Sequence, residues 1–295
     1  MKSQVASWAL VLVAVGGLAA ERKAMFSEQA KQHAQALRQA IQAEIKTLGK
    51  HPWAGDYCGM DGVSVILAPQ AGYVYELHCC LGPSDRDYGA VSWSNDRLRL
   101  SFTFCQNRKG LPVAEEMFPI AWGDRTYLIP AERMVDFCNR VNDGTEPRKT
   151  RWGLDLLRAG DEAKSAEGIP VVPDAFKPYL LSQPIEVKIV GVVGVTERTD
   201  VTGRQVKQFS LILNRGRKHG LLAGMRLYVI QQKRIFESVH ITKAEDTHCE
   251  ALMVPFDIKL EPRVGWWLST RWKPAETKKV PGTDLAPPRR FRTAY

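Results

Sequence analysis

The nine residues RLRLSFTFC at 97–105 constrain this chain more than any other stretch. In an extended backbone successive side chains point to opposite faces, so Leu98, Leu100, Phe102 and Phe104 form an apolar face. Arg97, Arg99, Ser101, Thr103 and Cys105 then form a polar one. A helix would scatter both sets around its circumference, whereas a half-buried antiparallel strand keeps them apart.

The same period runs through VSVILA (63–68), YVYELHCC (73–80) and YGAVSWS (88–94), with PQAG, LGPSDRD and ND as turn clusters between them. A further hairpin, FPIAWGDRTYLIP, turns at Gly123 and Asp124, and the short helix AERMVDFCNRVN follows with Met134, Cys138 and Val141 inward. These features predict an antiparallel β-meander or barrel-like domain with a terminal helix over 52–142. Ahead of it, Leu37, Ile41, Ile45 and Leu48 mark an amphipathic helix within 21–50, closed by Gly49 and Pro52 and expected to pack on its own domain. Residues 143–184 contain five prolines and little periodicity, so they read as a connector open to proteolysis near Lys149 to Gly168. Period two then returns as IEVKIVGVVGV, QVKQFSLILN, MRLYVIQ, IFESVHITKA, HCEALMVP and GWWLST, a small β-barrel over 185–270. The fold class expected is mainly β, with two β-domains behind an N-terminal signal and helix.

From Val5 to Ala20 the chain carries no charge, after a start holding Lys2. That is the pattern of a secretory h-region, so residues 1–20 read as a signal peptide or an uncleaved anchor. The expected location is periplasmic or otherwise outside the cytoplasm. The net charge is +9, and residues 271–295 hold seven basic against two acidic residues, a local +5. With Pro274, Pro281, Pro287 and Pro288, this segment reads as a disordered basic tail suited to an anionic membrane surface. Export argues against nucleic acid as a partner. The aromatic GWWLSTRW is accordingly read as strand residues sealing the last barrel edge.

In YVYELHCC, Glu76, His78 and Cys80 share one face, and Cys105 ends a strand of the same sheet. His78, Cys80 and Cys105 are weak candidates for a metal or thiol site, because zinc sites use Cys or His pairs at spacings absent here. His78 and Cys80 lie about 7 Å apart along a strand, an awkward separation for a base and its nucleophile. Asp85 and Asp87 in SDRDYG resemble the opening of a calcium loop that lacks a carboxylate at Gly89, and a turn explains them more cheaply. No catalytic residue, cofactor or metal is therefore expected. Cys58, Cys79, Cys80, Cys105, Cys138 and Cys249 make an even set in an exported chain. Cys58, Cys80 and Cys105 are the bridge candidates; Cys79, Cys138 and Cys249 have core-like neighbours.

The segment LNRGRKHGLLAGMRLYV (213–229) places Asn214, Gly216, Gly220, Leu221, Gly224 and Met225 in an order that resembles the small β-barrel modules of exported bacterial flagellar-assembly and cell-shape proteins. The resemblance spans about 185–270 and implies a scaffold-like role. WAGDY at 53–57 resembles the Gly-x-Trp start of lipocalin-type barrels, with its residues in a different order. Three functions follow as expectations. The first is a non-catalytic envelope scaffold or binding protein, its partner an envelope protein or polymer, with the helix and basic tail as extra contact surfaces. The second is a lipocalin-like barrel holding a small ligand among Glu76, His78, Arg99 and Thr103. The third is a thiol or metal enzyme using His78, Cys80 and Cys105. An open barrel interior favours the second, and a filled one favours the first.

Overall fold

A computed structural model describes residues 28–59, 62–79, 82–105, 114–144, 155–199, 203–230, 237–257 and 259–272, without the side chains of residues 79, 82–84 and 105. The charge-free N-terminal segment, Cys80 and the tail from 273 lie outside the described residues. Two compact units divide the chain, one of residues 1–141 and 145–180, the other of 142–144 and 181–295.

The first unit is an eight-stranded antiparallel barrel in simple up-and-down order. Its strands are β1 (Gly55–Cys58), β2 (Val63–Ala68), β3 (Gly72–Cys79), β4 (Gly82–Ser94), β5 (Arg97–Cys105), β6 (Glu116–Trp122), β7 (Arg125–Pro130) and β8 (Leu156–Arg158). β1 pairs with β8 and closes the ring. Between β4 and β5, Asn95 and Asp96 both take positive φ, as a two-residue hairpin loop of the twisted type requires. The interior is filled by Tyr57, Val65, Leu67, Tyr73, Tyr75, Leu98, Leu100, Met117, Leu128 and Leu156, with Trp53 and Ala54 at one end.

The strands are apolar outside as well. Helix α1 (residues 28–48) lays Ala30, Ala34, Leu37, Ile41 and Ile45 on Ile66, Ala68, Val74 and Tyr88. Leu48, expected in this stripe, is exposed. Two carboxylates fix the helix. Glu44 accepts the backbone N–H groups of Gln70 and Ala71 in the β2–β3 turn, at 2.9 and 2.7 Å. Glu76 on β3 accepts Arg38 Nη2 at 2.8 Å and Arg86 Nε at 3.0 Å. The opposite outer face, Phe118, Ile120, Trp122, Tyr127, Ile129 and Leu157, is covered by Met134, Phe137 and Cys138 of helix α2 (Met134–Asp143) and by Val172.

Three sequence expectations change here. Residues 143–184 are not merely a connector: β8 lies within them and completes the barrel between β1 and β7. Beyond it, Asp161 accepts Thr126 N–H at 2.8 Å, and Val171 N–H donates to Ala121 O at 2.9 Å, so this segment is stitched to the β6–β7 hairpin. The segment SDRDYG is strand rather than turn, because Arg86 pairs with Glu76 across the sheet and Asp87 accepts the Tyr73 hydroxyl at 2.7 Å. The apolar face of 97–105 is also broken. The register slips between Tyr88 and Gly89, where Phe102 faces Gly89 and Phe104 faces Tyr88. Phe104 therefore leaves the interior set and stacks on Tyr88 outside, ring centroids 5.1 Å apart. A bulge of this kind turns every later side chain to the other face. It needs Gly89, since a Cβ there would lie 2.0 Å from Ser101 O.

The second unit holds a closed six-stranded antiparallel barrel in the order β10-β13-β12-β11-β14-β9. Its strands are β9 (Glu186–Thr199), β10 (Gln205–Leu213), β11 (Arg226–Val229), β12 (Ser238–Ala244), β13 (Cys249–Met253) and β14 (Trp267–Ser269). Val187, Ile189, Leu211, Leu213, Leu227, Val239, Ile241, Ala251 and Leu268 are buried in it. Asn214 Oδ1 accepts Lys188 N–H at 2.8 Å, and Leu221 and Met225 are buried. β14 closes the ring between β9 and β11, the place expected for GWWLST. The fold is thus mainly β, a helix followed by two antiparallel sheets. Among the described residues no helix is long and apolar enough to cross a membrane.

Candidate functional site

The polar set expected to line a ligand pocket does not face the barrel interior. Glu76 lies on the outer face under α1, held by Arg38 and Arg86, with His78 Nε2 at 3.5 Å. Arg99 and Thr103 are exposed on β5. Glu76 is an anchor for the helix. Of the cysteines proposed for a bridge, Cys58 is a free, exposed thiol on β1. Burial, with Asp56 and Glu162 nearby, raises its pKa. Cys80 and the Cys105 side chain lie outside the described residues. Cys138 and Cys249 are buried free thiols, pushed up by burial to about 12 and about 11. Among the described residues no group of three His, Cys, Asp or Glu side chains is placed to hold a metal ion.

A concave surface lies instead at the mouth of the first barrel. Trp53 seals the interior, and Trp93 stacks on it with ring centroids 6.1 Å apart and an angle of 20°. Trp53 is buried, whereas Trp93 is 45% exposed. Alternation on β4 and β6 brings Trp93, Pro119 and Ala121 to the same side as the interior residues, but beyond the filled core. With Lys50, His51, Arg158, Asp174 and Lys177 they line a trench of about 720 Å³.

The floor of this trench is tied together by hydrogen bonds. Arg158 Nη2 donates to the Tyr57 hydroxyl and to Pro52 O, both at 2.8 Å, and its Nε reaches the same hydroxyl at 3.2 Å. Tyr57 in turn donates to Trp53 O at 2.9 Å. Burial pushes the Tyr57 phenol up to about 12, so it stays a neutral donor. His51 Nδ1 accepts the Ala54 N–H at 2.9 Å, which leaves the ring proton on Nε2. Burial, then the Arg158 charge, lowers the His51 pKa. The trench thus presents an imidazole, a guanidinium committed to a tyrosine, two exposed lysines and the carboxylates of Asp96 and Asp174. Chemically the trench can bind, by stacking on Trp93 and by charges of both signs.

Sequence reasoning missed this site because its parts come from four distant segments, 50–53, 93–96, 119–126 and 158–177. The one available signal was WAGDY, which places a tryptophan where a barrel begins. No protein-family model, curated protein or solved structure matches the chain.

Proposed function

We propose that this chain is an exported, non-catalytic binding protein of the cell envelope, whose first barrel holds an extended segment of a partner protein across its mouth. The observation that carries the reading is a filled interior beneath an open trench: side chains occupy the barrel up to Trp53, and about 720 Å³ remains above it. Such a surface suits a chain laid across the mouth better than a small molecule enclosed within the barrel. Trp93, Pro119 and Pro173 offer flat apolar contacts that a peptide backbone can lie against. Lys50, Arg158 and Lys177 set against Asp96 and Asp174 suit a partner bearing both charges. The charge-free run at 5–20 and the resemblance of 185–270 to envelope modules support the exported setting.

Selection of displayed peptides against the full chain, followed by calorimetry on wild type and Trp93→Ala, tests this. Selected peptides are expected to bind Trp93→Ala about tenfold or more weakly, as at a central aromatic anchor. Peptides that bind both proteins equally, or none that bind at all, would overturn the reading.

A further inference from the structure

The backbone around the trench limits how a peptide can lie in it. Along the edge of β6 that follows its pairing with β5, Glu115 O accepts the Leu100 N–H at 2.7 Å and Ala121 O accepts the Val171 N–H at 2.9 Å. Backbone groups alternate sides along a strand, so the odd-numbered residues face this edge. Met117 is paired with Leu98, and Ala121 with Val171. The edge-facing residue between them is Pro119, which has no N–H to donate. An added strand would leave one of its own carbonyls unpaired there, at a cost.

The rest of the trench is similar. Pro52 and Pro173 also line it. Pro52 O is taken by Arg158, the Ala54 N–H by His51, and Pro173 O by the Phe176 N–H. What the trench offers is side chains: the Trp93 ring, 45% exposed and backed by Trp53, with the flat rings of Pro119 and Pro173. A polyproline II segment suits such a surface. It makes no ladder, repeats after about three residues, and stacks its rings on aromatic walls at little entropic cost. Its carbonyls can be met by water or by side-chain donors such as Lys50 and the Trp93 indole N–H.

Charge narrows the class further. Asp174 and Lys177 pair with each other at 2.6 Å, which leaves Lys50 and Arg158 against Asp96 for a partner. That balance is positive and favours an acidic residue beside the prolines. Granted that the trench is a peptide site, as proposed above, we infer that its occupant is a proline-rich segment in the polyproline II conformation. A proline at every third residue lies against Trp93, and an acidic residue flanks the prolines toward Lys50.

Two displayed libraries, one with proline fixed at every third position and one free of proline, are selected in parallel against the full chain. Binders are titrated by calorimetry into wild type, Trp93→Ala and Lys50→Glu, and thermal unfolding checks that each variant is folded. Binders that depend on Trp93 are expected from the proline library, and to weaken about tenfold or more when two of their prolines become alanine. Those with an acidic flank should weaken about fivefold on Lys50→Glu at low salt. The inference is overturned, and the trench left a peptide site of another kind, if Trp93-dependent binders come as readily from the proline-free library or tolerate alanine for proline. Acid-flanked binders indifferent to Lys50→Glu overturn it too. If no binder depends on Trp93, the peptide site itself falls with it.

Discussion

Replacing Asp87 by Asn is expected to make the first barrel more stable at neutral pH and to remove part of its pH dependence. Asp87 points inward from β4, is only 4% exposed and accepts the Tyr73 hydroxyl at 2.7 Å. Burial is the largest influence on its carboxyl, which rises from 3.8 to about 6, and the neighbouring Asp85 adds to the rise. The Tyr73 hydrogen bond opposes it without cancelling it. A folded-state pKa above the unfolded value means stability is fully present below about 3.8 and lost as pH climbs through about 6. By pH 7 the loss is at most about 3 kcal/mol, since each pKa unit is worth about 1.36 kcal/mol. Asn keeps the shape and the acceptor for Tyr73 but cannot ionise. Urea unfolding of both proteins from about pH 4 to about pH 8 measures the effect. Asp155 also sits near 6 and contributes to both curves, so the difference between them isolates Asp87. The variant should match wild type at the acid end and exceed it by about 1–3 kcal/mol at pH 7. Parallel curves would refute the reasoning.

Gly89→Ala puts a Cβ 2.0 Å from Ser101 O and is expected to cost about 3 kcal/mol, read as a lower urea midpoint. Arg140→Met strips the buried Asp155 of its cation and should cost about 3–5 kcal/mol at pH 7, less near pH 4.5 where Asp155 takes up a proton. Thiol alkylation of the native chain, mapped by mass, should modify Cys58 while Cys138 and Cys249 react only after denaturation; a native protein that protects Cys58 contradicts its exposure. Removing residues 273–295 should abolish co-sedimentation with anionic vesicles at low salt, and equal binding with and without them sends the search for an envelope contact back to the barrels.

Period two along 63–105 and 186–269 was enough to find most strands and both sheets, because each strand buries one face and the alternation is written into it. Elements too short to show a period were invisible. β8 has three residues, yet it closes the first ring, and only the backbone of β1 and β7 tells LLR at 156–158 to extend. The bulge at Gly89 was hidden for a different reason. Leu98 to Phe104 alternate without a break, and the slip arises from the facing strand, where Tyr88 and Phe104 gain an outer stacking partner beneath α1. SDRDYG misled because Asp and Gly favour turns locally, while Glu76 and Tyr73 satisfy Arg86 and Asp87 across the sheet. The trench was not legible at all, since no periodicity links Lys50 to Lys177.

Covering both outer faces of a barrel has a consequence for where binding can occur. In a barrel of this size the inner face is spent on filling, and here it takes three tyrosines, Tyr57, Tyr73 and Tyr75, to do so. The outer face of β2 to β4 is spent on α1, and that of β6 to β8 on α2 and the 159–180 segment. The rim, where strands overrun the packed core, stays accessible. Trp93 on β4 and the ends of β6 and β7 do this at one mouth. The coverings also supply the trench walls: α1 delivers Lys50 and His51 as it ends at Gly49, and the segment after β8 delivers Val171, Asp174 and Lys177. The same elements that complete the fold therefore build the trench, which is why its residues are scattered along the sequence but held by hydrogen bonds of the fold itself.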